Sequence, residues 1–247
     1  MLDESIYTYK HRIYYSQLKT NGERIDNWLL YKPADFLDAD TKYGEITNLL
    51  STSNNIYFWQ TNAFGKLSVN ERSLITDNNG STIQLGQGGV LQRTDYISTK
   101  YGMRKEDFCS TEINNTVYWI DMDNKAIVSY YNNAVNNYSE VTNVQNIVNK
   151  NISFEDLPTI HYDLQNAELL CKLLKNNQQL IFNNKQNVAT SIYTRDYENI
   201  IPFNNVLYGI KLESDNNIFI TKYNYLSEYD NLLSPTAISF IVNSSPS

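Results

Sequence analysis

The sequence predicts an all-β fold made of antiparallel four-stranded sheets, arranged like the blades of a β-propeller that is either closed or incomplete. Three observations lead to this prediction. The 247 residues include 20 tyrosines, and aromatic and β-branched side chains suit half-buried strands. Asparagine is abundant and proline occurs only 5 times, so many tight polar turns are expected. Strand–turn–strand patterns also recur along the chain. A β-sandwich would give regularly spaced strands too and is the alternative.

The first strand pair is predicted between residues 55 and 69. Residues 55–59 read NIYFW, a run of residue types that favour strands. A short loop at residues 60–65 follows, and residues 66–69 then return as a second strand. Two such runs joined by a short loop that contains glycine predict a β-hairpin.

A second hairpin is predicted 61 residues later, at residues 116–129. The run TVYWID leads through a turn to the run AIVS. Tyr57 aligns with Tyr118 and Phe58 with Trp119, so the two hairpins form a weak internal repeat. A four-stranded blade takes roughly 40 to 50 residues, and the step between these hairpins therefore predicts one blade with an insertion.

A third hairpin is predicted from Val206–Leu212 to Ile218–Lys222, with a turn at residues 214–217. The distance from Val117 to Val206 suits two blades of ordinary length. The internal repeat favours the propeller over the sandwich.

The leucines at residues 168–174 fit a helix or a strand equally well by their spacing. Turns at 175–177 and 183–185 flank a strand at 179–182, and another strand follows at 188–194, so we interpret 168–174 as the first strand of a meander. The Asn-rich residues 132–151 predict a loop or a crossing between blades, with a short helix at 141–150.

Length and charge limit the organisation and the partners. We expect one β-propeller-like domain over residues 1–230 and a C-terminal strand or tail over residues 231–247. The formal charge of −7 argues against non-specific binding to nucleic acid or to an anionic membrane. The apolar run at 238–242 is far too short to cross a bilayer, and the N-terminus has no secretory signal, so no membrane segment is predicted.

No residues form a recognisable catalytic, metal or cofactor site, and none is predicted. The two cysteines, Cys109 and Cys171, lack metal-ligand spacing and are expected to be buried thiols. His11 and His161 are the only imidazoles, and neither lies in a catalytic motif. Paired carboxylates for glycoside hydrolysis stay open, because their separation in space is invisible in the sequence.

Three short motifs resemble ligand sites but are better explained as turns. Residues 121–124 alternate oxygen ligands but lack the glycine and the distal glutamate of a calcium loop, so a hairpin turn with solvated acids is expected. The aspartates at 35, 38 and 40 are likewise assigned to a turn. The glycine-rich residues 84–89 lack the Lys-Ser/Thr ending of a phosphate loop, which indicates a sharp turn or a close approach between chains.

Three stretches of the chain resemble one family. They read YFWQTNAFGKLSVNER at residues 57–72, IQLGQGGVLQR at 83–93 and DYISTKYGMRK at 95–105. These stretches are similar to the tail muzzle, or nozzle, proteins of crAss-like phages of gut bacteria, as are residues 179–193 and 218–223. Proteins of that family are much longer, so the resemblance implies a fragment or a short gene product whose family counterparts continue beyond residue 247.

The resemblance implies a structural role in the virion tail, with assembly in the host cytoplasm. Subunits would form a homo-oligomeric ring with other tail proteins at the distal end and enclose a conduit through which genomic DNA leaves without specific binding. No catalytic residue is carried over. As hypotheses for interface or constrained turn positions we name Gly86, Gly88, Gly89, Arg93 and Arg104.

Two other functions are consistent with a propeller. A glycan-hydrolysing enzyme would place two acids opposite each other in one pocket. A glycan-binding module for host attachment would expose a platform of Tyr and Trp side chains. Flat, Asn-rich faces between subunits would instead favour the structural role.

Overall fold

The computed structural model describes residues 9–17, 24, 26–53, 55–70, 73–76, 82–85, 90–104, 109–155, 157–176, 178–194, 197, 199–212, 218–222 and 238–240. Over these ranges, four four-stranded antiparallel sheets follow one another along the chain, and two two-stranded sheets accompany them. The predicted all-β fold with antiparallel four-stranded sheets is therefore confirmed. Each sheet is a meander, which favours a blade over the Greek-key connections of a sandwich. Closure into a propeller stays a prediction.

The chain forms two compact units, Met1–Lys105 and Glu106–Ser247. The predicted boundary between residues 230 and 231 stays a prediction, because the structure describes just Ile238–Phe240 beyond residue 222.

Unit 1 contains one four-stranded sheet, in the order β3-β4-β5-β8, and the ribbons β1-β2 and β6-β7. Its strands are β1 Arg12–Tyr14, β2 Phe36–Asp38, β3 Ile46–Ser51, β4 Ile56–Gln60, β5 Ala63–Asn70, β6 Ser73–Thr76, β7 Thr82–Leu85 and β8 Val90–Ser98. Short 3-10 turns lie at Asn27–Leu29 and Thr41–Tyr43. The ribbon β6-β7 is inserted between the third and fourth strands of the sheet, which confirms the predicted insertion.

Unit 2 contains three four-stranded sheets, each in chain order. Its strands are β9 Ser110–Ile113, β10 Thr116–Asp121, β11 Ala126–Tyr131, β12 Ala134–Asn137, β13 Thr159–Asp163, β14 Glu168–Leu174, β15 Gln178–Asn183, β16 Val188–Thr194, β17 Asn199–Phe203, β18 Val206–Leu212, β19 Ile218–Lys222 and β20 Ile238–Phe240. The second strands of successive sheets are β10, β14 and β18, so the step from Val117 to Val206 does span two sheets. The predicted strand at 168–174 and its meander are also confirmed.

The Asn-rich segment at 132–151 is more ordered than predicted. Residues 134–137 form the edge strand β12, and the helices α1 (Tyr138–Val141) and α2 (Gln145–Asn151) follow it. The segment is therefore not a loop throughout, but its helices form a crossing from β12 of one sheet to β13 of the next, and the helix predicted at 141–150 overlaps both of them. Tyr138 on α1 anchors the segment, because its ring lies between those of Tyr118 and Phe182, with a centroid distance of 5.2 Å to each.

Pairs of asparagines form three of the hairpin turns. Both residues of Asn114-Asn115, Asn132-Asn133 and Asn204-Asn205 have positive φ, between 48° and 63°. A two-residue hairpin turn of type I′ requires this backbone conformation at both positions, and asparagine tolerates it better than most residues. The many asparagines therefore set the register of the sheets.

Three longer hairpin loops share a second design. Each begins with an Asp or Asn whose side chain accepts a hydrogen bond from a backbone N–H two or three residues later: Asp121 from Asn124 at 2.9 Å, Asp163 from Gln165 at 2.9 Å and Asn183 from Lys185 at 3.0 Å. Such side-chain bonds replace backbone partners that the turn leaves free. The predicted hairpin turn at 121–124 is confirmed, but Asp121 is 2% exposed and is not a solvated acid.

The middle sheet of unit 2 is buried on both faces. Successive residues of a strand point to opposite sides of the sheet, so neighbouring leucines pack against different sheets. Leu169 packs in the core shared with Tyr118 and Ile120 of the first sheet. Leu170 packs instead in a core with Ile200 of the third sheet. The first strands of the sheets are neighbours, since β13 contacts both β9 and β17. Inner strands of adjacent propeller blades are arranged in the same way.

Candidate functional site

The five predicted site residues divide into two groups. Gly86, Gly88 and Gly89 lie outside the described residues. Arg93 is exposed on β8, and its Nε lies 2.8 Å from Oδ1 of Asp95 two residues along the same strand. Arg104 is half-buried. Their role at an interface stays a prediction.

The N-terminal lobe, residues 9–17 and 26–38, is the most distinctive surface of unit 1. Its strands β1 and β2 pair antiparallel, and Ile13 points into a core with Phe58 and Leu67. The loop between the strands is held by the backbone N–H of Gln17, which donates to the carbonyl oxygen of Leu30 at 2.9 Å. The ribbon therefore has one buried face, and its opposite face is free to carry function.

Arg12 organises the face of this ribbon that is opposite to Ile13. Its guanidinium donates to both carboxylate oxygens of Asp38, at 2.6 and 2.9 Å, and lies 3.6 Å from the ring centroid of Phe36 and 4.2 Å from that of Tyr9. The hydrogen bond to Asp38 raises the pKa of Arg12 and lowers the pKa of Asp38. Arg12 is thus committed to an internal ion pair and to aromatic faces.

The aspartates at 35, 38 and 40 have separate structural tasks. Asp35 accepts from the backbone N–H of Lys32 at 2.8 Å, and Asp40 accepts from that of Lys42 at 3.0 Å. Asp38 pairs with Arg12. The turn assignment is therefore confirmed for Asp35 and Asp40, but it was wrong for Asp38, which lies on strand β2 in an ion pair.

Four consecutive large side chains are exposed on the lobe. Trp28 is 59% exposed, Leu29 81%, Leu30 45% and Tyr31 59%. We call these residues 28–31 the exposed segment. The side chain of Asp26 caps the turn that presents it by accepting from the backbone N–H of Trp28 at 3.2 Å. Contiguous exposed apolar side chains on a folded protein mark an interaction surface.

Sequence reasoning missed this segment. The signal was present, since WLLY stands between the polar residues Asp26-Asn27 and Lys32, and four apolar residues in a row fit neither a period of two nor an amphipathic helix. An apolar run that fits neither of these two periodicities can be tested as an exposed surface.

A groove of about 350 Å³ lies in unit 2 between the end of β13 and the turn from β17 to β18. It is lined by Tyr162, Leu164, Pro202, Phe203, Asn204, Asn205 and Leu207. No carboxylate lines this groove, so it does not hold the paired acids that glycoside hydrolysis requires.

Burial shifts the pKa of two groups of unit 2 towards their neutral forms. Burial lowers the pKa of His161 to about 4 and raises the pKa of the Cys171 thiol. The thiol of Cys109 is also buried, and it donates to the carbonyl oxygen of Pro158 at 3.1 Å. Both cysteines are therefore buried thiols, as predicted. Within the described ranges, no three His, Cys, Asp or Glu side chains cluster so as to hold a metal ion.

Charge is unequally shared between the units. Unit 1 has 12 basic and 11 acidic side chains, a net charge of +1, whereas unit 2 has 8 basic and 16 acidic side chains, a net charge of −8. The negative charge of the chain therefore resides in unit 2. Among the described residues, no helix has the length and apolar character needed to cross a membrane.

Comparison with known proteins gives one family. A sequence model of the crassvirus muzzle protein matches residues 2–213. The muzzle protein of Bacteroides phage crAss001 is 28% identical over 123 residues. This match covers 50% of the present chain and 9% of the phage protein, so the chain spans a small part of that relative's length.

Proposed function

The chain belongs to the crassvirus muzzle protein family, and from this premise we propose that it is a structural component of the phage virion. The family match over residues 2–213 is the observation that carries the proposal. More finely, the chain is part of the tail nozzle, or muzzle, where copies form a homo-oligomeric ring with other tail proteins after assembly in the host cytoplasm.

The exposed segment supports a role in assembly. Trp28 and Tyr31 offer large rigid surfaces, and aromatic residues are enriched where proteins meet. Leu29 adds an aliphatic side chain that water solvates poorly. Contiguous exposed apolar side chains of this kind are uncommon on proteins that stay monomeric. The proposed interface positions Arg93 and Arg104, with Gly86, Gly88 and Gly89, belong to the same unit.

The charge of unit 2 supports a place along a genome-ejection conduit. A net charge of −8 repels the phosphate backbone, so DNA that passes such a surface is not held by Lys and Arg contacts. We propose that the four-stranded sheets are propeller blades and that unit 2 contributes to a wall of this kind. DNA is then a passing cargo and not a specific ligand.

The proposed role of the chain does not include catalysis. His161 and Cys171 are enclosed and neutral, which leaves them without access to a substrate. The groove beside Phe203 is lined by apolar and amide side chains and the phenol of Tyr162, without a carboxylate or an imidazole. General acid–base chemistry requires a titratable group within hydrogen-bond reach of the substrate.

One observation favours a second candidate, glycan binding during host attachment. The rings of Trp28, Tyr31 and Tyr14 are exposed on one lobe, and sugars stack on such rings. Leu29 and Leu30 interrupt the aromatic surface, which suits a protein partner better. A glycan array probed with the chain separates the two: binding that is lost in Trp28→Ala supports the glycan-binding role, and absence of binding rejects it.

Deletion of the gene tests the structural role. Phage that lack the gene should form particles without a complete tail tip and should lose infectivity, because a conduit component cannot be bypassed. Supply of the parent gene from a plasmid should restore both properties. Infectious particles with normal tails in the absence of the gene would reject the role.

A further inference from the structure

The third sheet of unit 2, strands β17 to β20, has two different faces. One face packs on the middle sheet, where Ile200 and Leu207 share a core with Leu170 and Ile181. Tyr197, in the link between β16 and β17, packs on the same face, and a Cβ on Gly209 would lie 2.5 Å from its ring atoms. The inner face is therefore complete.

The opposite face is mostly apolar and only partly covered, and the half-buried Lys222 lies on it opposite Tyr208. Its residues alternate with those of the inner face and are cross-strand neighbours: Ile201 opposes Tyr208, and Phe203 opposes Val206. Ile210 opposes Ile220 on the next strand. Ile201 is 43% exposed and Phe203 63%, and the other four apolar side chains are half-buried. We call these six apolar residues the outer face.

The middle sheet of unit 2 is an example of a sheet in this protein with both faces covered by neighbouring sheets. Leu169 on one side and Leu170 on the other are both almost fully buried, each against a neighbouring sheet. Apolar surface gains roughly 25 cal/mol per Å² when it leaves water. The outer face has the composition of a stacking face, and within the described part of the chain Ile201 and Phe203 stay exposed on it.

The edge strand of this sheet favours a partner that binds to the outer face and not to the edge. Pro202 is the fourth of the five residues of the edge strand β17 and has no N–H to donate to a further strand. Addition of a strand at this edge is therefore disfavoured at this position. Association through the outer face leaves the edge untouched.

We propose that the outer face is the binding surface for a further antiparallel β-sheet with an apolar face, supplied by the same muzzle polypeptide outside residues 1–247. The sheet stacks on β17 to β20 as that sheet stacks on the middle one. The matched part is 9% of the crAss001 muzzle protein, so a polypeptide of that size has ample length for further sheets. The inference rests on family membership and does not require the virion role.

The test is site-specific photocrosslinking in the full-length gene product that contains this chain, produced recombinantly. A benzophenone amino acid replaces Phe203, and the crosslinked peptide is identified by mass spectrometry after irradiation. A matched variant carries the probe in place of Lys185, an exposed residue of the β15–β16 loop. We expect the probe at 203 to capture a strand outside residues 1–247 and the probe at 185 not to capture it.

Three outcomes would overturn the proposal. Capture of residues 1–247 from a second copy would identify the outer face as an interface between copies of this chain. Absence of any crosslink at 203 would mean that the face stays open. Capture of the same peptide from 185 would mean that the contact is non-specific. The experiment uses purified protein, so its result can be interpreted even when the proposed structural role in the virion is rejected.

Discussion

Gly65 lies against the ring of Phe58, its cross-strand partner in the sheet of unit 1. A Cβ at residue 65 would come within 2.5 Å of Phe58 Cε1 and 2.7 Å of the carbonyl oxygen of Asp95. Neither the strand nor the fully buried ring can move away freely. We therefore expect Gly65→Ala to lower the free energy of unfolding by about 1–3 kcal/mol, measured by thermal denaturation.

The control is Ser68→Ala on the same strand, where the side chain is half-buried. This variant should change stability by less than about 1 kcal/mol. A Gly65→Ala protein as stable as the parent would show that the Phe58 ring does not depend on the missing Cβ.

The Asn-Asn turns predict that a β-branched side chain destabilises the protein at a turn position but not at a strand position. Asn115 has a φ of 63°, which a β-branched side chain disfavours. Asn115→Val should destabilise the protein by about 1–2 kcal/mol, whereas Asn115→Gly should be tolerated, as measured by the denaturant midpoint. Asn136→Val, at an exposed position of strand β12, is the matched control and should be neutral. Equal effects at 115 and 136 would contradict the turn assignment.

His161 predicts a loss of stability in acid. Its folded pKa of about 4 is below the reference value of 6.5, so the unfolded state binds the proton more readily. The stability contribution is complete above pH 6.5 and is lost as the pH falls towards 4. A shift of this size corresponds to about 3 kcal/mol. Chemical denaturation between pH 7 and pH 4 measures it.

The matched variants are His161→Phe and His11→Gln. The first should lose this part of the pH dependence whatever its absolute stability, and the second should keep it. A stability difference between the parent and His161→Phe that stays constant from pH 7 to pH 4 would exclude the buried imidazole as the cause.

The exposed segment predicts a defect in assembly without a defect in folding. Leu29→Lys should leave the melting temperature unchanged, because the side chain is mostly in water, but should lower incorporation into particles at least about tenfold if the segment is an interface hot spot. Leu157→Lys replaces a leucine that is 67% exposed in unit 2 and serves as the control. Normal incorporation of Leu29→Lys would remove the segment from the interface.

Local patterns were sufficient for much of the fold. The hairpins around Tyr57, Tyr118 and Tyr208 follow from strand-forming residues on both sides of polar turns. The leucines at 168–174 were assigned correctly because the turns after them allowed no long helix. The inserted ribbon β6-β7 followed from the spacing of the first two hairpins.

The remaining features depend on contacts between distant residues. Strand β12 was missed because Val135 is its one strand-forming residue, and it pairs because the Asn132-Asn133 turn returns the chain to β11. The groove joins Leu164 and Phe203, which are brought together by stacking of two sheets. The outer face was hidden in an ordinary strand pattern, since alternation shows which residues share a face but not whether a neighbour covers it.

Quantitative mass spectrometry of purified virions tests the central claim most directly. A structural component of the virion predicts peptides from both unit 1 and unit 2, at one fixed ratio to the portal protein across independent preparations. Virions that contain the portal protein but no peptides from this chain would contradict the claim.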